Sequence, residues 1–206
     1  LMKDYMMMGG IMGSISGAYS FVKDFESSLK QTQAIAQGTN QQMQSLKTSI
    51  IDVSDASRFS AIELTEVTTS LAQAGFSMSE IERSLRSVAT LATATGSGLK
   101  DSVDIVTSVM GAFKMSASTM PDVVNQITQA MNMSKLDVPK FMLATQYAGN
   151  AASDLGITFK EMLSATAAVS NTGIRSGSTM GTGMRQLMAD LKVPTDVMKK
   201  KMMDLG

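Results

Sequence analysis

Glycines at positions 173, 177, 181 and 183 form the part of the sequence that comes nearest to a phosphate-binding loop. A Walker loop has a glycine, four residues and then Gly-Lys-Ser/Thr, so that backbone N–H groups and the lysine hold the phosphates. Here Gly177 leads to Thr182-Gly183-Met184 without the lysine, and no strand pattern precedes it. The stretch therefore predicts close backbone packing at a helix and no nucleotide site.

A serine three residues before a lysine, the spacing of penicillin-binding enzymes, occurs at Ser27/Lys30 and at Ser97/Lys100. The accompanying motifs are missing, so both matches are expected by chance in a chain rich in serine and lysine. The sequence contains no histidine and no cysteine, the usual general base, thiolate nucleophile and transition-metal ligands. It predicts no enzyme, no catalytic residue, no cofactor and no metal site.

The composition favours a helical protein that does not rely on charge to find its partners. Eighteen basic and eighteen acidic residues cancel, so no specific binding of nucleic acid is expected. There are twenty methionines against ten aromatic residues, none of them tryptophan. Methionine favours helices and fills irregular gaps between them. No alternating strand pattern occurs, and the predicted class is all-α.

A short unit that ends one helix and begins the next occurs twice, at residues 74–80 and 155–161. In each copy a glycine supplies the left-handed residue that ends a helix, and an apolar residue follows. Ser77 or Thr158 then caps the next helix, with Glu80 or Glu161 completing a capping box. These units predict a bundle of short helices joined by glycine turns over residues 59–206.

The first part of the chain, residues 1–58, carries a heptad pattern that predicts one long helix after a glycine- and methionine-rich start. Apolar residues alternate by three and four positions, and glutamines lie between them. We expect this helix to self-associate as a parallel coiled coil; the alternative is an amphipathic helix packed against its own chain. The predicted seam consists of Val22, Phe25, Leu29, Ala36, Met43, Leu46, Ile50 and Val53.

Residues 5–22 carry no charged side chain, and Gly9, Gly13 and Gly17 recur within them at intervals of four positions. Small residues at this spacing let helices approach closely, in a membrane or in a tight bundle. The span is at the lower edge of membrane-crossing length, so a packed helix is the preferred interpretation. The start at Leu1 and the glycine turn that opens at Gly206 predict an internal piece of a longer polypeptide.

Residues 60–191 resemble the core region of tail tape measure proteins from tailed phages and prophages of Gram-positive hosts. The resemblance runs in the same order through six blocks and covers roughly two thirds of the chain. The blocks are 61–75 (AIELTEVTTSLAQAG), 88–96 (VATLATATG), 104–113 (DIVTSVMGAF), 147–157 (YAGNAASDLGI), 170–174 (SNTGI) and 181–191 (GTGMRQLMADL).

The resemblance implies a rod-like oligomer, with three copies per tail, that fills the lumen of the tail tube and sets tail length. It implies release at infection to aid genome delivery, and hence a place in the virion near the tail tip after assembly in the host cytoplasm. The implied partners are other copies of the chain, the tail tube, distal tail or baseplate hub proteins and tail assembly chaperones. The host membrane is a further expected contact after release.

Two other hypotheses fit the residues. A membrane-active helical protein, pore-forming or envelope-penetrating, would insert residues 5–22 and the methionine-rich helices into a bilayer. A generic helical scaffold would have no viral role.

Overall fold

The computed structural model describes residues 15–174, 176–194 and 196–205. Within these ranges the secondary structure is helical, without strands, as the all-α prediction expects. The glycine- and methionine-rich start of the chain lies largely outside the described residues. The helices are α1 (Ile15–Ile35), α2 (Asn40–Asp55), α3 (Ala61–Gln73), α4 (Met78–Thr95), α5 (Leu99–Ala112), α6 (Met120–Asn132), α7 (Val138–Asp154), α8 (Phe159–Asn171), α9 (Gly177–Lys192) and α10 (Asp196–Leu205), with a 3₁₀ turn at Ala117–Thr119 before α6.

The chain divides into two compact units, and α5 and α6 each have residues in both. The first unit holds the described residues up to Thr107 together with Ser116–Asn125. The second holds Ser108–Met115 and the described residues from Gln126 onward. The boundary predicted between residues 58 and 59 therefore lies inside the first unit.

In the first unit α1 packs on α3, and α2 packs on α4. The core is aliphatic, with fully buried leucine and isoleucine side chains from all four helices. A buried hydroxyl cluster lies between α1 and α3, where Thr32 Oγ1 is 3.0 Å from Thr68 Oγ1 and 3.0 Å from Thr69 Oγ1. Because each hydroxyl has partners, these threonines are accommodated in the core without unmet hydrogen bonds.

The prediction of one continuous helix through residues 1–58 is wrong, because α1 ends at Ile35 and α2 begins at Asn40. Gln37 adopts a left-handed φ of 52°, and the N–H of Gly38 donates to the Gln33 carbonyl at 3.0 Å. Thr39 then caps α2 in a box with Gln42. The heptad spacing runs past Thr39 between the seam residues Ala36 and Met43, whereas Thr-x-x-Gln is a helix-start signal.

The packing of α1 and α2 within the first unit corresponds to the alternative in which this amphipathic segment packs on its own chain. Five of the eight predicted seam residues are buried: Phe25, Leu29, Leu46, Ile50 and Val53. The other three, Val22, Ala36 and Met43, are partly exposed. A coiled coil built on this seam would have to open the packing of α1 on α3 and of α2 on α4.

The same local link joins α3 to α4 and α7 to α8. Gly75 and Gly156 have φ values of 90° and 76°, the left-handed region that glycine enters without a steric penalty. The N–H of Phe76 donates to the Leu71 carbonyl at 3.1 Å, and the N–H of Ile157 donates to the Ala152 carbonyl at 3.0 Å. These bonds satisfy carbonyl groups that a helix end leaves without partners.

In the second unit α7 is the central helix and packs against both α8 and α9. Its most extensive contact is with α9, through Gly177 and Gly181. A Cβ at Gly177 would lie 2.5 Å from the Lys140 carbonyl oxygen, and one at Gly181 would lie 2.9 Å from the Ala144 Cα. The absence of these side chains lets α7 and α9 approach at backbone contact, which confirms close packing at Gly177 and Gly181 but not at Gly173 or Gly183, where a Cβ would meet nothing within 4 Å.

Candidate interaction groove

The second unit carries an apolar groove of about 470 Å³ lined by α8, α9 and the link before α8. The link contributes Leu155 and Ile157, and α8 contributes Ala165 and Val169 from its middle and end. Among the lining residues that the structure describes, Glu161 is the one charged group. The groove has the composition of a surface that binds an apolar partner.

Methionines form the floor of this groove and belong to the core of the second unit. Met162, Met184 and Met188 are at most 8% exposed and pack with Ala148 and Ala152 of α7. The Thr166 hydroxyl lies 3.5 Å from the Met184 sulfur. Because methionine is flexible and polarisable, such a floor can adapt to the shape of a partner.

Two leucines of α9 stand at the rim with much of their surface in solvent. Leu187 is 58% exposed and Leu191 is 43% exposed, and they lie one helical turn apart. A single exposed leucine is ordinary, but two beside an apolar groove form a contiguous apolar patch. This geometry indicates a binding surface.

The position of α9 depends on its glycines, and the start of α8 depends on a capping box. Thr158 Oγ1 accepts from the Glu161 N–H at 3.2 Å, and the Thr158 N–H donates to Glu161 Oε2 at 2.8 Å. Glu161 is thereby held at the groove with one carboxylate oxygen engaged and further lone pairs available.

The bonds that Glu161 accepts from the Thr158 backbone and side chain lower the pKa of its carboxyl group. A lowered pKa in the folded chain adds stability above the unfolded value of about 4.5, and the gain is lost as pH falls through the folded pKa. We expect Glu161→Ala to reduce thermal stability at pH 7 and to have less effect at pH 3. Thermal unfolding by circular dichroism at both pH values tests this, with Glu161→Gln as the control that can keep the box. An equal loss at both pH values would contradict it.

None of the eight predicted seam residues lines this groove. The signal that could have found it lies in α9, where Met184, Leu187, Met188 and Leu191 follow the i, i+3, i+4, i+7 spacing of one helix face. The glycine-rich stretch predicts a helix at this position but does not by itself indicate that one face of the helix is exposed.

The sequence predicts no metal site and favours a packed helix over a membrane-spanning one, and the described residues can be compared with these expectations. No group of three histidine, cysteine, aspartate or glutamate side chains within them could hold a metal ion. Among the helices that the structure describes, none is both long and apolar enough to cross a membrane.

Comparison with known proteins identifies relatives of this chain among phage tail proteins. Residues 47–206 match the family described as "Phage-related minor tail protein". A tape measure protein of Pneumococcus phage Dp-1 is 27% identical over 196 residues, which is 95% of this chain. The chain spans about a sixth of that relative, since the match covers 17% of its length. No solved structure matches the chain significantly.

Proposed function

The chain belongs to the phage-related minor tail protein family, and from this we propose that it is a segment of a tape measure protein. Such a protein would fill the lumen of the tail tube, set its length during assembly and leave at infection to aid genome delivery. The observation that carries the proposal is the alignment to a tape measure protein over nearly the whole chain. We assign the segment a structural role and no catalytic one.

The helix lengths of this segment indicate how much of the tail length it would set. A single helix of 206 residues would extend about 310 Å at 1.5 Å per residue. The longest described helix, α1, has 21 residues and a length of about 32 Å. We therefore propose that most of the ruler length comes from other parts of the polypeptide. This segment would be the folded end near the tail tip, bound to distal tail or baseplate hub proteins.

Tail length tests the ruler function in the phage. Deleting seventy residues from a helical stretch of the full gene outside this segment should shorten the tail by on the order of 100 Å. The measurement is electron microscopy of purified tails. Tails of normal length after the seventy-residue deletion would contradict the proposal.

The remaining partners follow from the same proposal. Three copies would lie in the tube near the tip, and chaperones would hold the chain in the host cytoplasm until the tube assembles around it. Contact with the host membrane would follow release. Because five seam residues are buried within the first unit, we propose that copies associate through surfaces that leave this packing intact.

A further inference from the structure

A second groove of the same unit, the α6–α8 groove, lies between the later part of α6 and α8 and has a volume of about 290 Å³. Its middle is apolar, with Ala130 from α6 and Leu163 and Ala167 from α8. Met133, which follows the end of α6, stands at the groove with 82% of its surface exposed. The groove is therefore open to solvent along an apolar lining.

Two polar groups distinguish this groove from an ordinary apolar depression. Lys160 is the one charged residue among the lining residues that the structure describes, and its side chain is exposed. The side-chain oxygen Oε1 of Gln126 is buried and has no hydrogen-bond partner among the described residues. A buried acceptor without a partner costs free energy, so a molecule that brings an N–H group to this oxygen would be favoured.

Both polar groups lie toward the same end of the groove. The N–H of Lys135, just after α6, donates to Asn171 Oδ1 at 3.0 Å, so the ends of α6 and α8 meet at one end of the groove. Gln126 lies well before the end of α6, and Lys160 is in the first turn of α8. The groove therefore offers a cation and an unpaired acceptor away from its closed end.

The exposed face of α9 carries groups that complement these. Leu187 and Leu191 are 58% and 43% exposed, and each follows a polar residue, Gln186 and Asp190. The Gln186 side chain donates through Nε2 to Asp190 Oδ1 at 3.0 Å, and its amide carries a second N–H that can donate to another acceptor. This face thus combines two apolar side chains, a carboxylate and an N–H donor.

We propose that the α6–α8 groove of one copy binds the exposed face of α9 of a second copy. Leu187 and Leu191 would cover the apolar middle of the groove, while Asp190 pairs with Lys160 and Gln186 donates to Gln126 Oε1. The α9 of the same chain cannot supply this face, because its contact at Gly177 and Gly181 holds it against α7.

The two surfaces are different patches of one unit, so the contact is head to tail and can close into a ring of copies. It leaves the packing of the first unit intact. The inference rests on the residues of the second unit and not on the role in the tail.

Charge reversal at both surfaces tests the pairing of Asp190 with Lys160. In the 206-residue chain, Asp190→Lys and Lys160→Asp should each weaken association about tenfold in sedimentation equilibrium, because like charges would then face each other. The double variant should recover association to within about threefold of the natural chain. Neither change opposes its own helix, since a lysine in the last turn of α9 and an aspartate in the first turn of α8 both suit the helix dipole.

The matched control is Asp154→Lys, which makes the same change of charge at an exposed residue in the last turn of α7, outside both surfaces. It should alter association by less than about twofold. A mass of one chain at every concentration would overturn the proposal. So would two weakened single variants whose combination recovers nothing.

Crosslinking distinguishes the head-to-tail contact from a contact of α9 with α9. The chain contains no cysteine, so the single-cysteine variants Leu187→Cys and Met133→Cys can be mixed and oxidised. We expect their mixed disulfide to form about tenfold faster than that between Leu187→Cys and Asp52→Cys, whose cysteine lies on the exposed face of α2. A rate equal to this control, or faster pairing of Leu187→Cys with itself, would overturn the proposal.

Discussion

Alanine in place of Gly177 or Gly181 should lower the free energy of unfolding of the second unit by about 2–3 kcal/mol. At Gly177 the new Cβ would lie 2.5 Å from the Lys140 carbonyl oxygen, and at Gly181 it would lie 2.8 Å from the Tyr147 Cβ. Backbone atoms of α7 cannot turn aside as the end of a flexible side chain can, so α9 would have to move outward. Urea denaturation monitored by circular dichroism measures the loss.

Gly183 provides the matched control because it lies in the same helix with no other atom within 4 Å of its would-be Cβ. Gly183→Ala should raise stability by about 1 kcal/mol, since alanine restricts the unfolded chain more than glycine does. All three substitutions are the same glycine-to-alanine change, and the effect of Gly183→Ala is expected to be opposite in sign to the other two. If all three variants were stabilised, the close contact of α7 with α9 would be refuted.

Leu29→Ala should destabilise the first unit by about 3–5 kcal/mol at any protein concentration. The Leu29 side chain is fully buried where α1 packs on α3, so the substitution leaves a cavity inside one chain. If Leu29 belongs to a seam between chains, the cost will instead appear in association and vary with dilution. Denaturation at two concentrations a hundredfold apart distinguishes these cases.

The control for this prediction is Leu187→Ala, the same truncation at a leucine that is 58% exposed. It should cost well under 1 kcal/mol in the dilute chain, because little apolar surface returns to water. A concentration-dependent loss for Leu29→Ala would contradict this prediction and support the intermolecular seam.

Local signals in the sequence predicted much of the fold. The predicted helix starts at Ser77 and Thr158 coincide with capping boxes in the structure, because such boxes depend on residues only three positions apart. The glycine-rich start of α9 was likewise predicted to pack closely. These features need no knowledge of the rest of the chain.

The errors arose where two patterns compete for the same residues. The heptad spacing continues across Thr39, but the capping box between Thr39 and Gln42 ends it, and a left-handed Gln37 allows the break. The burial of the seam could not be predicted either, because a helix face that is apolar fits its own chain as well as another copy. The groove is a tertiary feature: α8 and α9 are consecutive and expected to touch, but which of their faces line a groove depends on how both pack against α7.

The links between helices also bear on how quickly the chain can fold. The hydrogen bonds that close the links after α3 and α7 join residues no more than five positions apart, as do the capping boxes that follow them. Structures dominated by contacts of low sequence separation fold fast, in microseconds to milliseconds for helical domains. Synthesis delivers roughly 5–20 residues per second, so each hairpin can close long before the next helix leaves the ribosome. Closing a hairpin would still leave apolar faces open, because α1 packs on α3, α2 on α4 and α7 on α9, so each of these faces stays unpaired until the second helix along the chain has been made.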